Sequence, residues 1–133
     1  MKLKTVTMRV RTQNEALEYY TQKMGFRIVS DNPMGKSGRW ITIAAPDDAS
    51  VSITLQPSEW FVGDDKKRHE ELIGRDPTLV FQVDDCYGTY DSLRAKGVEF
   101  SQAPTDRGYA IEAVAKDLYG NSLVFVQMPA GAY

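Results

Sequence analysis

The sequence predicts an α+β fold made of two βαβββ modules, and three observations carry that expectation. The chain repeats itself once, its β-rich alternating segments are each as long as a short strand, and each copy holds one stretch of helical spacing that stops at a glycine. Val10 followed by RTQNEALEYYTQKMGFRI matches Val83 followed by DDCYGTYDSLRAKGVEF. At an offset of 70, GRWITIAAPD from Gly38 then matches GYAIEAVAKD from Gly108, and SITL from Ser52 matches SLVF from Ser122.

Leu3 to Val10 and Thr78 to Val83 are rich in β-branched residues and alternate, as half-buried strands do. Residues 14–24 and 86–96 place Leu17, Tyr20 and Met24, or Tyr90, Leu93 and Ala95, at near-helical spacing. They end at Gly25 and Gly97, where a left-handed C-terminal cap favours glycine. Asp84 and Asp85 precede the second helix as capping acids. Further strands are expected at 26–31, 38–45, 51–56, 98–102, 108–115 and 122–127. One domain over residues 1–133 follows, with modules at about 1–56 and 78–128 joined by a connecting loop, 57–77. Within that loop DDKKRHEEL reads as a short exposed helix and SEWFVG as its apolar part. A connector this long is expected to act as a mobile lid, with Trp60 and Phe61 as its apolar contact.

A chain of 133 residues supports a single core, and 42% hydrophobic with 26% charged residues is the composition of a globular protein. A net charge of -2 offers no polybasic footprint for nucleic acid or anionic lipid. No apolar run approaches the roughly 20 residues of a membrane span, and the N-terminus lacks a signal-peptide core, so a cytoplasmic location is expected. With one cysteine, Cys86, and one histidine, His69, an intrachain disulfide is impossible and soft-ligand metal sites are nearly excluded. His69 lies among charges and is expected on a solvated helix face; Cys86 reads as an inert thiol.

Strand parity separates a packed face from an open one. Val6, Met8, Val10, Ile41, Ile43, Ile53 and Leu55 pack in the first copy, and Leu79, Phe81, Val83, Ile111, Ala113 and Ala115 in the second. The opposite parity carries Thr5, Thr7, Arg9, Trp40, Thr42, Thr54, Gln56, Thr78, Gln82 and Glu112. Hydroxyls and amides suit a sheltered face, because they can hydrogen-bond a ligand without the desolvation cost of a charge. These residues, with Trp60, Phe61 and Tyr109 as flat surfaces, form the candidate ligand-binding set. Glu112 is the one carboxylate among them and the candidate catalytic base, unless it pairs with Arg9 or faces solvent.

EALEYYTQKMGFRIVSD, GRWITIAAPDD, VFQVDD and KDLYGNSLVFVQ, in that order and duplicated, resemble the vicinal oxygen chelate superfamily of glyoxalase I, bleomycin-resistance proteins and extradiol dioxygenases. The last turn matches at Asp117, Gly120 and Asn121 but has Leu118 where the family usually has proline. The resemblance implies that the curved mixed sheets of the two modules form a cup, and commonly a homodimer with modules pairing within one chain or across two. Metal-dependent members take His or Glu ligands from the first and fourth strands of each module. The matching positions here are Thr5, Thr54, Thr78 and Val124, none of them a histidine or carboxylate. The expected function is therefore metal-free, cofactor-free binding of a small molecule. The alternatives are a lyase, isomerase or dioxygenase-like enzyme of the same fold using Glu112 or an atypical metal site, and a vestigial cup serving only association. The sequence does not identify the ligand.

Overall fold

A computed structural model describes residues 1–36 and 38–129; Ser37 and residues 130–133 of the expected domain lie outside the described residues. In chain order the elements are β1 (Thr5–Val10), α1 (Gln13–Gln22), β2 (Arg27–Pro33), β3 (Arg39–Ala45), β4 (Asp48–Pro57), a single 3-10 turn (Ser58–Trp60), α2 (Gly63–Leu72), β5 (Leu79–Gln82), α3 (Cys86–Ala95), β6 (Glu99–Asp106), β7 (Ile111–Lys116) and β8 (Ser122–Gln127). The chain forms two compact units, Met1–Asp76 and the part from Pro77 onward.

Both helices of the repeat start where the sequence supplies an acceptor. The Thr12 hydroxyl accepts from the Glu15 backbone N–H (3.2 Å), and the Asp85 carboxylate accepts from the Gly88 N–H (3.0 Å). Each helix is followed by a glycine of positive φ, Gly25 (72°) and Gly97 (92°), which lets the chain turn back into β2 or β6.

The first unit orders its strands β1-β4-β3-β2, and the second orders them β5-β8-β7-β6. In each, the first and fourth strands run parallel and the rest antiparallel. The expected packed parity is buried at Met8, Val10, Ile41, Ile43, Ile53, Leu55, Ala113 and Ala115, together with Leu123 and Phe125. Tyr20 is fully buried in the first unit, edge-on to Phe26 at 5.2 Å, and Leu93 is buried in the second. The repeat extends to single hydrogen bonds. The first residue of α1, Gln13, donates its amide to the carbonyls of Leu55 (3.1 Å) and Arg39 (2.6 Å). The first residue of α3, Cys86, donates its thiol to the carbonyl of Phe125 (3.7 Å), the counterpart of Leu55.

The ladder refines the repeat in one respect. Thr42 stands opposite Thr54, and Val114 opposite Val124. With Val124 the counterpart of Thr54, the counterpart of Thr42 is Val114 and that of Trp40 is Glu112, two residues from the pairing that linear matching of GRWITIAAPD with GYAIEAVAKD suggests. The first unit accommodates the difference between β3 and β4, where the register shifts between Ile43 and Ala45. A slip of two leaves every side chain on its face, which is why parity did not expose it.

Segment boundaries differ mainly at turns. β7 begins at Ile111, because Gly108 and its neighbours form the β6–β7 turn, closed by Arg107 N–H donating to Ala110 O (2.8 Å). In the connecting stretch α2 forms where DDKKRHEEL is expected to be helical, and the 3-10 turn precedes it.

Candidate functional site

In the first unit the side chains opposite the packed parity form a row of hydroxyls across the sheet. Ser30 Oγ and Thr42 Oγ1 are 2.6 Å apart, and Thr5 Oγ1 and Thr54 Oγ1 2.8 Å apart. Thr5 can donate to the Ser52 carbonyl (3.2 Å) while accepting from Thr54. Thr42 and Thr54 are 5% and 1% exposed, so these two hydroxyls, read from sequence as ligand contacts, are buried and engaged by Ser30 and Thr5 respectively. Thr7 stays exposed.

Trp40 and Trp60 come together from β3 and the 3-10 turn, stacked 6.0 Å apart with 6° between their planes. Trp40 is 38% exposed. Trp60 Nε1 is buried and has no hydrogen-bond partner among the described residues. It faces Gly38, whose φ is +104° and where a β-carbon would sit 3.6 Å from that nitrogen.

His69 departs from the solvated position its charged neighbours suggest. It is 4% exposed, stacked on Phe61 at 4.8 Å, with Nε2 2.8 Å from the Gln56 carbonyl and Nδ1 3.2 Å from Ser58 Oγ. A carbonyl can only accept, so Nε2 carries the proton and Nδ1 accepts from Ser58. Phe61 and the backbone of Gln56 therefore anchor α2. Arg9 is likewise engaged: its guanidinium meets Asp76 at 2.8 Å, and its backbone N–H donates to the same carboxylate at 3.0 Å. Trp60 on Trp40, His69 on the Gln56 carbonyl and Asp76 on Arg9 tie the 57–77 segment to the rest of the first unit, which the mobile-lid reading does not foresee.

In the second unit the same face is built differently. Val80, Val124 and Val114 stand side by side across β5, β8 and β7, with Val80 59% exposed. At one end of this strip Glu112 accepts from Arg107 Nε at 2.9 Å, rather than pairing with Arg9. Arg107 Nη2 also donates to Gln102 Oε1 (3.3 Å), and Gln102 Nε2 donates to the Glu112 carbonyl (3.4 Å). Arg107 and Gln102 were not read as site residues; an arginine five residues ahead of Glu112 across a turn was the available signal. Thr78 and Gln82 are exposed, as is Tyr109. Burial, reinforced by the charges of Asp85 and Glu112, pushes the Cys86 thiol pKa up, as suits an inert thiol. A depression of about 380 Å³ lined by Gly63, Lys66, Lys67, Glu70 and Glu71 lies along α2, made by the side chains of one helix.

The model of the Glyoxalase/Bleomycin resistance protein/Dioxygenase superfamily matches residues 2–125. The chain belongs to this superfamily. It is 38% identical to the uncharacterized protein YurT of Bacillus subtilis (strain 168) over 130 residues, covering 96% of this chain and 99% of that one. Among solved structures it is similar to UcmS2, with a TM-score of 0.83, 30% identity and coverage of 95% and 97% of the two chains. It is also similar to TnmS3, an antibiotic binding protein from Streptomyces sp. CB03234, with a TM-score of 0.77, 25% identity and 97% of each chain covered.

The superfamily's metal-dependent members raise the question of whether a metal fits here. At the matching strand positions, Thr5 and Thr54 hydrogen-bond to each other, Thr78 is a neutral hydroxyl and Val124 has no donor atom. Neutral hydroxyls compete poorly with water for divalent transition metals, so this donor set does not fit one. Among the described residues no group of three or more His, Cys, Asp or Glu converges elsewhere, and no helix is long and apolar enough to cross a membrane.

Proposed function

We propose that this protein binds a small, largely aromatic molecule and does so without a metal or other cofactor. The observation that carries this reading is the stacked Trp40–Trp60 pair, with one indole left partly exposed. Exposed indole surface is costly in water and offers a planar partner offset stacking over several ångströms. The similarity to TnmS3, described as an antibiotic binding protein, supports a small-molecule ligand. The donor set at Thr5, Thr54, Thr78 and Val124 supports the metal-free part. The test is a tryptophan fluorescence titration with doxorubicin and, separately, bleomycin. Saturable quenching by at least one, weakened on the order of tenfold by Trp40→Ala, is expected; no saturable change with either overturns the reading. Stoichiometric Zn, Ni, Mn or Fe in the purified protein, found by elemental analysis, overturns the metal-free part.

The protein acts in this reading as a cytoplasmic homodimer. Each sheet ends in edge strands, β1 and β2 or β5 and β6, whose outer backbone groups have no strand partner in the described ladders, and a two-fold pairing is the commonest way to cover such surface. Light scattering that gives a monomer mass at high micromolar concentration overturns the dimer.

A further inference from the structure

We infer that Ser30 and Asn32, on one face of β2, form the polar edge of the Trp40 site, and that the ligand there presents a neutral carbonyl oxygen on the rim of its aromatic ring. The inference rests on the small-molecule reading above and adds the group by which such a molecule is recognised. Every residue it uses belongs to the first unit.

A count of hydroxyl protons shows where the row is open. Thr54 donates to Thr5 and Thr5 to the Ser52 carbonyl, so two protons meet two acceptors and that pair is closed. Ser30 and Thr42 also carry two protons but share a single bond, and neither hydroxyl has another partner among the described residues. Thr42 is the buried member at 5% exposure, whereas Ser30 is half-buried. A buried hydroxyl needs its proton used, so Thr42 donates to Ser30, and Ser30 keeps an O–H to offer outward.

The register sets that spare donor beside the ring. Ser30 stands opposite Thr42 and Asn32 opposite Trp40, so all four side chains share one face. Asn32 is exposed, and its carboxamide has no hydrogen-bond partner among the described residues. Two residues along a strand span about 7 Å, a gap that one acceptor atom can bridge, the longer Asn32 side chain reaching further than Ser30. Trp40, 38% exposed and stacked on Trp60, supplies the flat surface from whose ligand such an oxygen would project.

Charge then narrows the acceptor. Both donors are neutral, and the cations on this face of β1 and β2 are already attended. Arg9 is bonded to Asp76, and Arg27, opposite Ala44, lies within electrostatic reach of Asp48. A carboxylate held by Ser30 and Asn32 would lose hydration without gaining a counter-charge, whereas a ketone, quinone or amide carbonyl exchanges water for two donors at little desolvation cost. Solubility of the edge strand is served by Arg27 and Asp31; it does not call for Ser30 and Asn32 in register with the ring.

The test is an NMR titration of the whole chain with three probes that share a naphthalene ring system: acetonaphthone, naphthoate and ethylnaphthalene. Acetonaphthone should bind on the order of tenfold more tightly than either of the others, and should shift the amide resonances of Ser30, Asn32 and Trp40. Ser30→Ala and Asn32→Ala should each reduce that preference while ethylnaphthalene binding holds. Because Asn32 is exposed, its variant keeps the test valid even if loss of the Ser30 hydroxyl disturbs buried Thr42. Asn32→Lys supplies the missing charge and should raise naphthoate affinity above that of acetonaphthone. The inference is overturned, and the small-molecule reading left in place, by equal affinity for ketone and hydrocarbon, by a parent chain that favours naphthoate, by a ketone preference that survives Asn32→Ala, or by doxorubicin quenching without acetonaphthone binding. If none of the naphthalenes, doxorubicin or bleomycin binds, the small-molecule reading falls and the inference with it.

Discussion

The two units share a topology and a ladder, yet they fill equivalent positions with opposite chemistry. Where the first unit has Thr42, Thr54 and Thr7, the second has Val114, Val124 and Val80; where the first shows Trp40, the second shows Glu112. The first face buries Thr42 and Thr54 in hydrogen bonds to Ser30 and Thr5, leaves Thr7 exposed, and shows part of an aromatic ring. The second exposes Val80, leaves Val114 and Val124 half-buried, and carries an ion pair. Duplication supplied two copies of one backbone, and the side chains opposite the packed parity are where the copies diverged. That is the pattern expected of a scaffold kept for folding and a surface free to change.

The largest test of this contrast lies in the cores. Tyr20→Ala should cost about 3–5 kcal/mol, as buried aromatic truncations do, and Leu93→Ala at the equivalent helix position about 2–4 kcal/mol. Urea denaturation followed by circular dichroism measures both. Because both tryptophans belong to the first unit, their fluorescence reports on it selectively. A cost for Leu93→Ala exceeding that for Tyr20→Ala would reverse the ranking of the two cores.

The helix anchors come next. Gln13→Leu leaves two carbonyls without their donor and should cost about 1–3 kcal/mol, whereas Cys86→Ala removes one long thiol contact and should cost about 1 kcal/mol or less beyond lost packing. Equal losses would mean that the amide contributes no more than the thiol. Exchanging the faces should matter less again. Thr54→Val removes one member of the hydroxyl row but leaves Thr5 its bond to the Ser52 carbonyl, so about 1 kcal/mol is expected, again from urea curves.

Two pH effects complete the series. The Cys86 thiol holds its proton above the ordinary range, so above about pH 8.5 the unfolded chain releases a proton that the folded chain keeps. Stability should fall as pH rises through that region, and Cys86→Ala should flatten the decline seen in alkaline melting curves. Asp31 behaves in the opposite sense. Its hydrogen bond to Arg39 holds the carboxyl below the usual range. The benefit is present above about pH 4 and lost as pH falls through the depressed folded value. Since the pair is exposed, this should be the smallest effect of all. Asp31→Asn should remove it from acid melting curves; an unchanged acid limb would show that the pair contributes nothing measurable.

The fold was legible because two independent signals agreed: a repeat that fixed element order and an alternation that fixed which side of each strand packs. Met8, Ile41, Ile53 and Leu55 were all assigned correctly on that basis. The site was less legible, for identifiable reasons. Parity tells which way a side chain points but not whether its partner is a neighbour or a ligand, so Thr42 and Thr54 were read as free when they are satisfied. His69 was hidden by composition. It is the uncharged residue within DDKKRHE, and its helical spacing to Leu72 and Ile73 was the signal of a buried edge. Arg107 escaped because it belongs to a turn, where alternation carries no information.

The parallel pairing of β1 with β4 also constrains the order of events after synthesis. Thr5 meets Ser52 across 47 positions of chain, and the second unit repeats the arrangement between β5 and β8. The β2–β3 hairpin can zip locally, but the opening strand of each unit must wait for its last strand before it has any backbone partner. A nascent chain that ends before Asp48 therefore exposes an unpaired N-terminal strand, the kind of edge that seeks other chains. Splitting the molecule into two closures of similar span, instead of one spanning the whole chain, shortens each such wait.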